Sequence, residues 1–152
     1  MQRSCQLLVF TLDGQYALRL GAVERIVRAA EITPLPKSLD IILGVINVHG
    51  SVLPVVNIRR RFRLPERAME LSDRMIIAAT HRRRVALLVD SVTGVVECTE
   101  DDVIAAEAII PRTEHIDGVT KLGDDIVLIH NLDRFLSLDE ERALDDALKP
   151  VR

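Results

Sequence analysis

Apolar and polar residues alternate along this chain in short segments that favour β-strands over helices. Residues 5–12 and 15–20 are two such segments, and Asp13-Gly14 between them is a typical two-residue hairpin turn. Further segments of the same kind follow, and they are predicted to pair as hairpins: residues 45–48 with 52–56, 74–80 with 85–90, and 116–122 with 126–131. Residues 92–98 form another predicted strand. This succession of short strands predicts an all-β, mainly antiparallel fold.

Two places in the pattern favour helix. In residues 21–27, the spacing of Val23, Ile26 and Val27 suits one face of a short helical turn. Near the end, Ser137 and Glu140 have the spacing of a capping box, and leucines and alanines supply an apolar stripe behind them. We therefore predict a C-terminal helix over residues 137–149 on a single domain spanning residues 1–152.

The segment GVINVHGSVLPVVNIR, residues 44–59, is the most informative stretch of the chain. Two apolar strands flank a turn of His49, Gly50 and Ser51, and Gly50 can adopt the positive φ that such turns require. Pro54 cannot donate to a ladder, which predicts an edge strand or a bulge. Taken alone, these residues fit either an ordinary hairpin or a turn that presents an imidazole for recognition.

Composition narrows the function classes. The chain has 152 residues, 48% of them hydrophobic but only 3% aromatic, and its formal net charge is −3. Few aromatic side chains and no basic excess argue against nucleic-acid binding. The N-terminal apolar run is too short for a signal peptide, so we expect a cytoplasmic protein. In that compartment Cys5 and Cys98, which follow no metal spacing, are expected to be reduced thiols in or near the core.

Motifs for catalysis or metal binding are absent from the sequence. The four histidines show no metal-ligand spacing with one another or with a cysteine, and no nucleophile elbow or phosphate-binding glycine loop occurs. We expect no enzyme activity, no metal and no cofactor. Two arginine clusters remain, in residues 59–63 and 82–84, and they fit either solvated surface charge or a rim that steers an acidic partner helix.

The segment 44–59 resembles the signature of the CheW family of chemotaxis adaptors. Matching residues of that signature are Gly44, Asn47, Gly50, Pro54 and Arg59, and similar stretches occur in order along nearly the whole chain. The resemblance implies two small five-stranded SH3-like barrel subdomains packed together. It also implies a non-enzymatic adaptor that couples the cytoplasmic tip of a chemoreceptor to the regulatory domain of a CheA-type histidine kinase, with membrane association only through receptors.

The resemblance implies partner-binding roles for eight residues. These are Val23, Arg25, Gly44, Asn47, His49, Gly50, Asn57 and Arg59.

Three of these positions depart from the family pattern: His49 replaces an arginine, Asn57 an aspartate and Arg25 a glutamate. An imidazole cannot reproduce the bidentate guanidinium, so a contact that depends on arginine would change. Two explanations stay open: an adaptor retuned to its own partners, for example in a pilus-type chemosensory system, or a solo scaffold with weakened kinase coupling. The alternative function is a small barrel module that binds a nucleic acid or a small ligand.

Overall fold

The part of the chain that the structure describes contains eleven strands and two α-helices. A computed structural model describes residues 4–35, 39–99, 102–105 and 116–148. The strands are β1 (Ser4–Thr11), β2 (Gln15–Arg19), β3 (Val23–Arg28), β4 (Ile42–Val48), β5 (Ser51–Val56), β6 (Arg74–Ala79), β7 (Arg84–Val89), β8 (Ser91–Thr99), β9 (Ile104–Ala105), β10 (Ile116–Leu122) and β11 (Asp125–His130). The α-helices are α1 (Ile58–Arg61) and α2 (Leu138–Ala147), and 3₁₀ turns occupy Leu20–Ala22 and Leu132–Arg134.

The strands form two sheets. The first has the order β8-β1-β2-β11-β10-β9 and the second has the order β3-β6-β7-β5-β4, so the middle of the chain builds the second sheet. Neighbouring strands in the described ranges are antiparallel except for β2–β11 and β5–β7. The predicted mainly antiparallel β fold with a C-terminal helix is confirmed. Within these ranges both sheets are open, because the terminal strands of each sheet do not pair with each other. The first sheet has six strands, whereas the resemblance implied five-stranded barrels.

A shared apolar core joins the two sheets. Leu8 and Phe10 of β1 pack in one cluster with Ile76 and Leu87 of the second sheet and with Leu144 of α2. Leu7 and Val9 of β1 point to the opposite face of the first sheet, where they belong to a separate apolar cluster. Both faces of β1 are buried at residues 7–10, and these four residues are all apolar.

The prediction of a helical turn over residues 21–27 is wrong. Only Leu20–Ala22 form a 3₁₀ turn, and β3 follows, pairing Val23 with Ala78 and Val27 with Met75. The β-branched residues of this segment fit a strand as well as a helix face, and the ladder to β6 decides between them.

The C-terminal helix and its capping box are confirmed. Ser137 Oγ accepts a hydrogen bond from the Glu140 amide, and Glu140 Oε1 accepts one from the Ser137 amide. Lys149, the predicted last residue, lies outside the described residues. Arg61 and Arg83 pair with Glu140 and Glu141, so α2 packs on the body of its own chain.

The prediction of two reduced cysteines is also wrong in this structure. Cys5 of β1 and Cys98 of β8 form a disulfide, with their Cα atoms 5.2 Å apart. The antiparallel register places the two residues directly opposite each other, which their separation of 93 positions along the chain conceals. Among the described residues, no helix is long and apolar enough to cross a membrane.

Candidate functional site

The hairpin of β4 and β5 presents an exposed polar tip. Its turn contains His49 with φ +51° and Gly50 with φ +87°, both in the left-handed region. The Asn47 side chain stabilises the turn, because its Oδ1 accepts a hydrogen bond of 2.8 Å from the Gly50 amide. Asn47, His49 and Gly50 are all exposed, so the imidazole is accessible to a partner.

Gly44, at the buried part of the same hairpin, has a packing role. Its φ is +152°, and a Cβ atom there would lie 2.4 Å from the Thr33 carbonyl oxygen. Thr33 and Val45 exchange two backbone hydrogen bonds of 2.8 and 2.9 Å across this contact. A glycine is therefore required where residues 32–33 cross the strand.

Asn57 and Arg59 lie in the helical turn that ends the signature segment. Asn57 caps α1, since its Oδ1 accepts a hydrogen bond from the Arg60 amide at 3.2 Å, and its amide nitrogen donates to Glu66. Arg59 is nearly buried, and its guanidinium donates to Asp13 at 2.8 Å and to Asp90 at 2.6 Å. Arg59 thereby links the β1–β2 turn of the first sheet to the end of β7 in the second.

A second arginine extends this contact into an ion network of Asp13, Arg59, Arg67, Asp73 and Asp90. Arg67 donates two hydrogen bonds to Asp73, at 2.7 and 3.0 Å, and a third to Asp90. Burial alone would raise the pKa of Asp73, but the hydrogen bonds from Arg67 and from the Glu70 amide hold it below its usual range. Burial would likewise lower the pKa of Arg59, yet its bonds to Asp90 and Asp13 raise it.

Sequence reasoning missed this network. The sequence identified Arg59 alone, and as a partner contact, whereas Asp13 was interpreted as a turn residue. The ion-paired residues are 46 and 31 positions apart along the chain, so no local pattern could have predicted that they meet.

Val23 and Arg25 lie on β3, which is an edge strand of the second sheet. Val23 is half-buried at the rim of the shared core, and Arg25 is exposed. Between them, Glu24 forms a bidentate pair with Arg84, with distances of 2.7 to 3.0 Å. The eight predicted residues therefore fall into three groups: the β3 edge, the tip of the β4–β5 hairpin on the opposite edge, and the interior positions Gly44, Asn57 and Arg59.

The two arginine clusters are largely engaged within the chain. Arg60 pairs with Glu66 at 3.1 Å, Arg61 with Glu140 at 2.5 Å, and Arg83 with Glu141 and Asp145. Much of this positive charge is therefore neutralised locally. In the described ranges, no group of three or more His, Cys, Asp or Glu side chains could hold a metal ion.

The fold and these surfaces define a two-sheet β scaffold whose candidate contacts are exposed strand edges and turns. The family model for the CheW-like domain matches residues 6–140, and the chain belongs to this family.

Individual relatives agree with that membership. The chain is similar to the chemotaxis protein CheW of Klebsiella aerogenes, with 25% identity over 95% of this chain and 89% of the relative. It is also similar to the protein FrzA of Myxococcus xanthus, with 26% identity over 84% of each. The crystal structure of the scaffolding protein TtCheW from Thermoanaerobacter tengcongensis matches with a TM-score of 0.82 and 25% identity, covering 92% of this chain and 96% of that one.

Proposed function

We propose that this chain is a non-enzymatic adaptor in chemotaxis-type signalling, and that it couples chemoreceptors to a CheA-type histidine kinase. The observation that carries the proposal is the match of the CheW-like domain to residues 6–140, which includes all of both sheets except the first two residues of β1. The mechanism is geometric: a rigid scaffold that binds two partners at separate surfaces makes their conformational states interdependent. We further propose that the protein acts in the cytoplasm and reaches membranes only through receptors.

In this proposal the two sheets correspond to the two barrel-like subdomains of the family. One partner, the receptor tip, contacts the β3 edge through Val23 and Arg25. The other, the regulatory domain of the kinase, contacts the hairpin tip through Asn47, His49 and Gly50. The assignment is supported by the exposure of Arg25, Asn47, His49 and Gly50 and by the half-exposed Val23.

The three interior residues have an indirect role in this proposal. Gly44, Asn57 and Arg59 fix the backbone that carries the hairpin, through the contacts with Thr33, the α1 amide and the two aspartates. The replacement of aspartate by Asn57 fits this role, because asparagine and aspartate are equally good helix N-caps. Arg25 and His49 are then the departures that change partner contacts, and they support an adaptor retuned to its own receptor and kinase.

Exchange of His49 and Arg25 for the residues of the family pattern tests this assignment. We expect His49→Arg to weaken binding of the cognate kinase regulatory domain, and Arg25→Glu to weaken binding of the cognate receptor fragment. Each should change the binding free energy by about 1–3 kcal/mol, as at interface hot spots. Isothermal titration calorimetry with the full chain measures both. Arg28→Glu, an exposed charge reversal farther along β3, is the matched control; unchanged affinities for both test variants would remove these positions from the interfaces.

A further inference from the structure

A groove lies at the start of α2, on a surface that includes none of the eight predicted residues. It is formed by the β6–β7 turn, the 3₁₀ turn Leu132–Arg134 and the first turn of α2, and its volume is about 480 Å³. We call it the α2 groove; its lining includes Arg82, Arg134, Leu136 and Leu138. This volume is enough to hold one or two side chains of a bound peptide.

The walls of the α2 groove are held in place by hydrogen bonds. The Asp133 carboxylate accepts from the His81 amide at 2.8 Å and also lies 3.0 Å from His81 Nε2. Thr80 Oγ1 accepts from the Arg82 and Arg83 amides at 3.1 and 3.0 Å, which fixes the turn. A preformed groove loses little conformational entropy when a ligand binds.

Two arginines supply accessible positive charge to the groove. Arg82 and Arg134 are exposed, and neither guanidinium has a hydrogen bond or ion pair with another part of the chain that the structure describes. Both lining carboxylates are engaged, Asp133 with His81 and Glu141 with Arg83. Arg83 offsets Glu141, so the lining retains two available guanidiniums against the single carboxylate of Asp133, which favours an anionic ligand.

The groove also has an apolar part. Leu138, the first residue of α2, is 63% exposed, and Leu136 forms a buried neighbour. A groove that contains a large exposed aliphatic side chain and two available guanidiniums suits a segment that carries both an apolar side chain and carboxylates.

We propose that the α2 groove binds an acidic peptide segment of a protein partner, with one apolar side chain packed on Leu138 and carboxylates paired to Arg82 and Arg134. This site goes beyond the proposed function, because it uses neither the β3 edge nor the hairpin tip. It gives the adaptor a third contact surface, whose recognition depends on charge and on one apolar anchor.

Selection of random displayed peptides against the immobilised full-length chain tests the proposal without any assumed partner. We expect the enriched peptides to contain Leu, Met or Phe next to Asp or Glu. In fluorescence anisotropy with an enriched peptide, Arg82→Glu and Arg134→Glu should each weaken binding about tenfold or more, because an attractive charge contact becomes repulsive. Leu138→Ser should weaken it about fivefold or more through lost apolar burial.

Arg142→Glu is the matched control, since it reverses an exposed arginine on α2 outside the groove lining, and it should leave binding unchanged. Thermal melts establish that each variant is folded. The proposal is overturned if no peptide is enriched, if enriched peptides lack carboxylates, or if folded groove variants bind like the wild type. A dimer in light scattering that Arg82→Glu dissociates would also overturn it, because a second copy would then occupy the groove.

Discussion

Arg59 and Arg60 are neighbours in the same helical turn, but their environments differ. The Arg59 side chain is 11% exposed and contacts two aspartates from different sheets, whereas the Arg60 side chain is 49% exposed and pairs with carboxylates on the surface. A buried pair that loses one partner leaves an uncompensated charge, and a surface pair that does so leaves a solvated one. These two residues therefore separate the structural role of the signature arginine from general charge effects.

We expect Arg59→Ala to lower the free energy of unfolding by about 3 kcal/mol, because Asp90 would lose one of its two guanidinium partners in a poorly solvated place. Arg60→Ala should lower it by less than about 1 kcal/mol. Urea unfolding followed by circular dichroism measures both variants. Equal effects in the two variants would contradict the structural role that we assign to Arg59.

Asp73 makes stability depend on acid pH. Because its folded-state pKa is below its usual range, its contribution is present above the unfolded pKa of about 3.9 and is lost as the pH falls through the lower folded value. Wild-type stability should therefore fall below about pH 4, and Asp73→Asn should lose part of this slope. Urea midpoints measured from neutral pH down to about pH 3 provide the test; parallel slopes for the two proteins would contradict it.

At the scale of elements, the register between β1 and β8 determines where a crosslink forms in the first sheet. The Cys5–Cys98 disulfide joins β1 to the edge strand β8 and closes a loop of 93 positions. A crosslink across so long a loop restricts the unfolded chain strongly. The disulfide therefore stabilises the pairing of β1 with β8, and β8 begins directly after Asp90 of the ion network.

We expect the oxidised protein to be about 2–5 kcal/mol more stable than the reduced protein. The variant Cys5→Ser with Cys98→Ser should unfold at the same urea concentration as the reduced wild type, with or without reductant. Thiol titration establishes the redox state of each sample. If fully oxidised and fully reduced samples unfold together, the crosslink has no stabilising role.

Elements were predictable from the sequence where the signal is local. The Asp13-Gly14 turn and the capping box of Ser137 and Glu140 depend on adjacent residues, and both hairpin and helix form as predicted. The strand β3 was missed because the apolar spacing of residues 23–27 fits helix and strand equally. The disulfide and the ion network were missed because they depend on which distant strands become neighbours, and a single sequence does not contain that information in any local pattern.

For the candidate site, the sequence predicted the hairpin that carries the residues, and their partner-binding roles stay predictions. The signature segment forms the predicted hairpin, and His49 and Gly50 lie at its exposed tip. Arg59 was interpreted as a possible partner contact, but its guanidinium is engaged inside the molecule. Burial of a charged side chain could not be inferred from the sequence, because arginines are usually exposed.

At the scale of the whole molecule, the arrangement suits a rigid bridge. The β3 edge and the hairpin tip lie on opposite edges of one five-stranded sheet, so a partner bound at each would be held in a fixed relation. The shared core and the Arg59 contacts hold the first sheet against this one. Coupling between partners needs such a fixed connection. A flexible link would raise the local concentration of one partner near the other, but it would transmit little conformational change.

The most direct test of this account is co-sedimentation of the cognate CheA-type kinase with membranes that contain the cognate chemoreceptor. With the full-length chain added, the kinase should be recovered in the membrane pellet together with the chain, and without it the kinase should stay in the supernatant. A kinase that stays in the supernatant at every concentration of folded chain, or that sediments equally well without it, would contradict the proposed adaptor function.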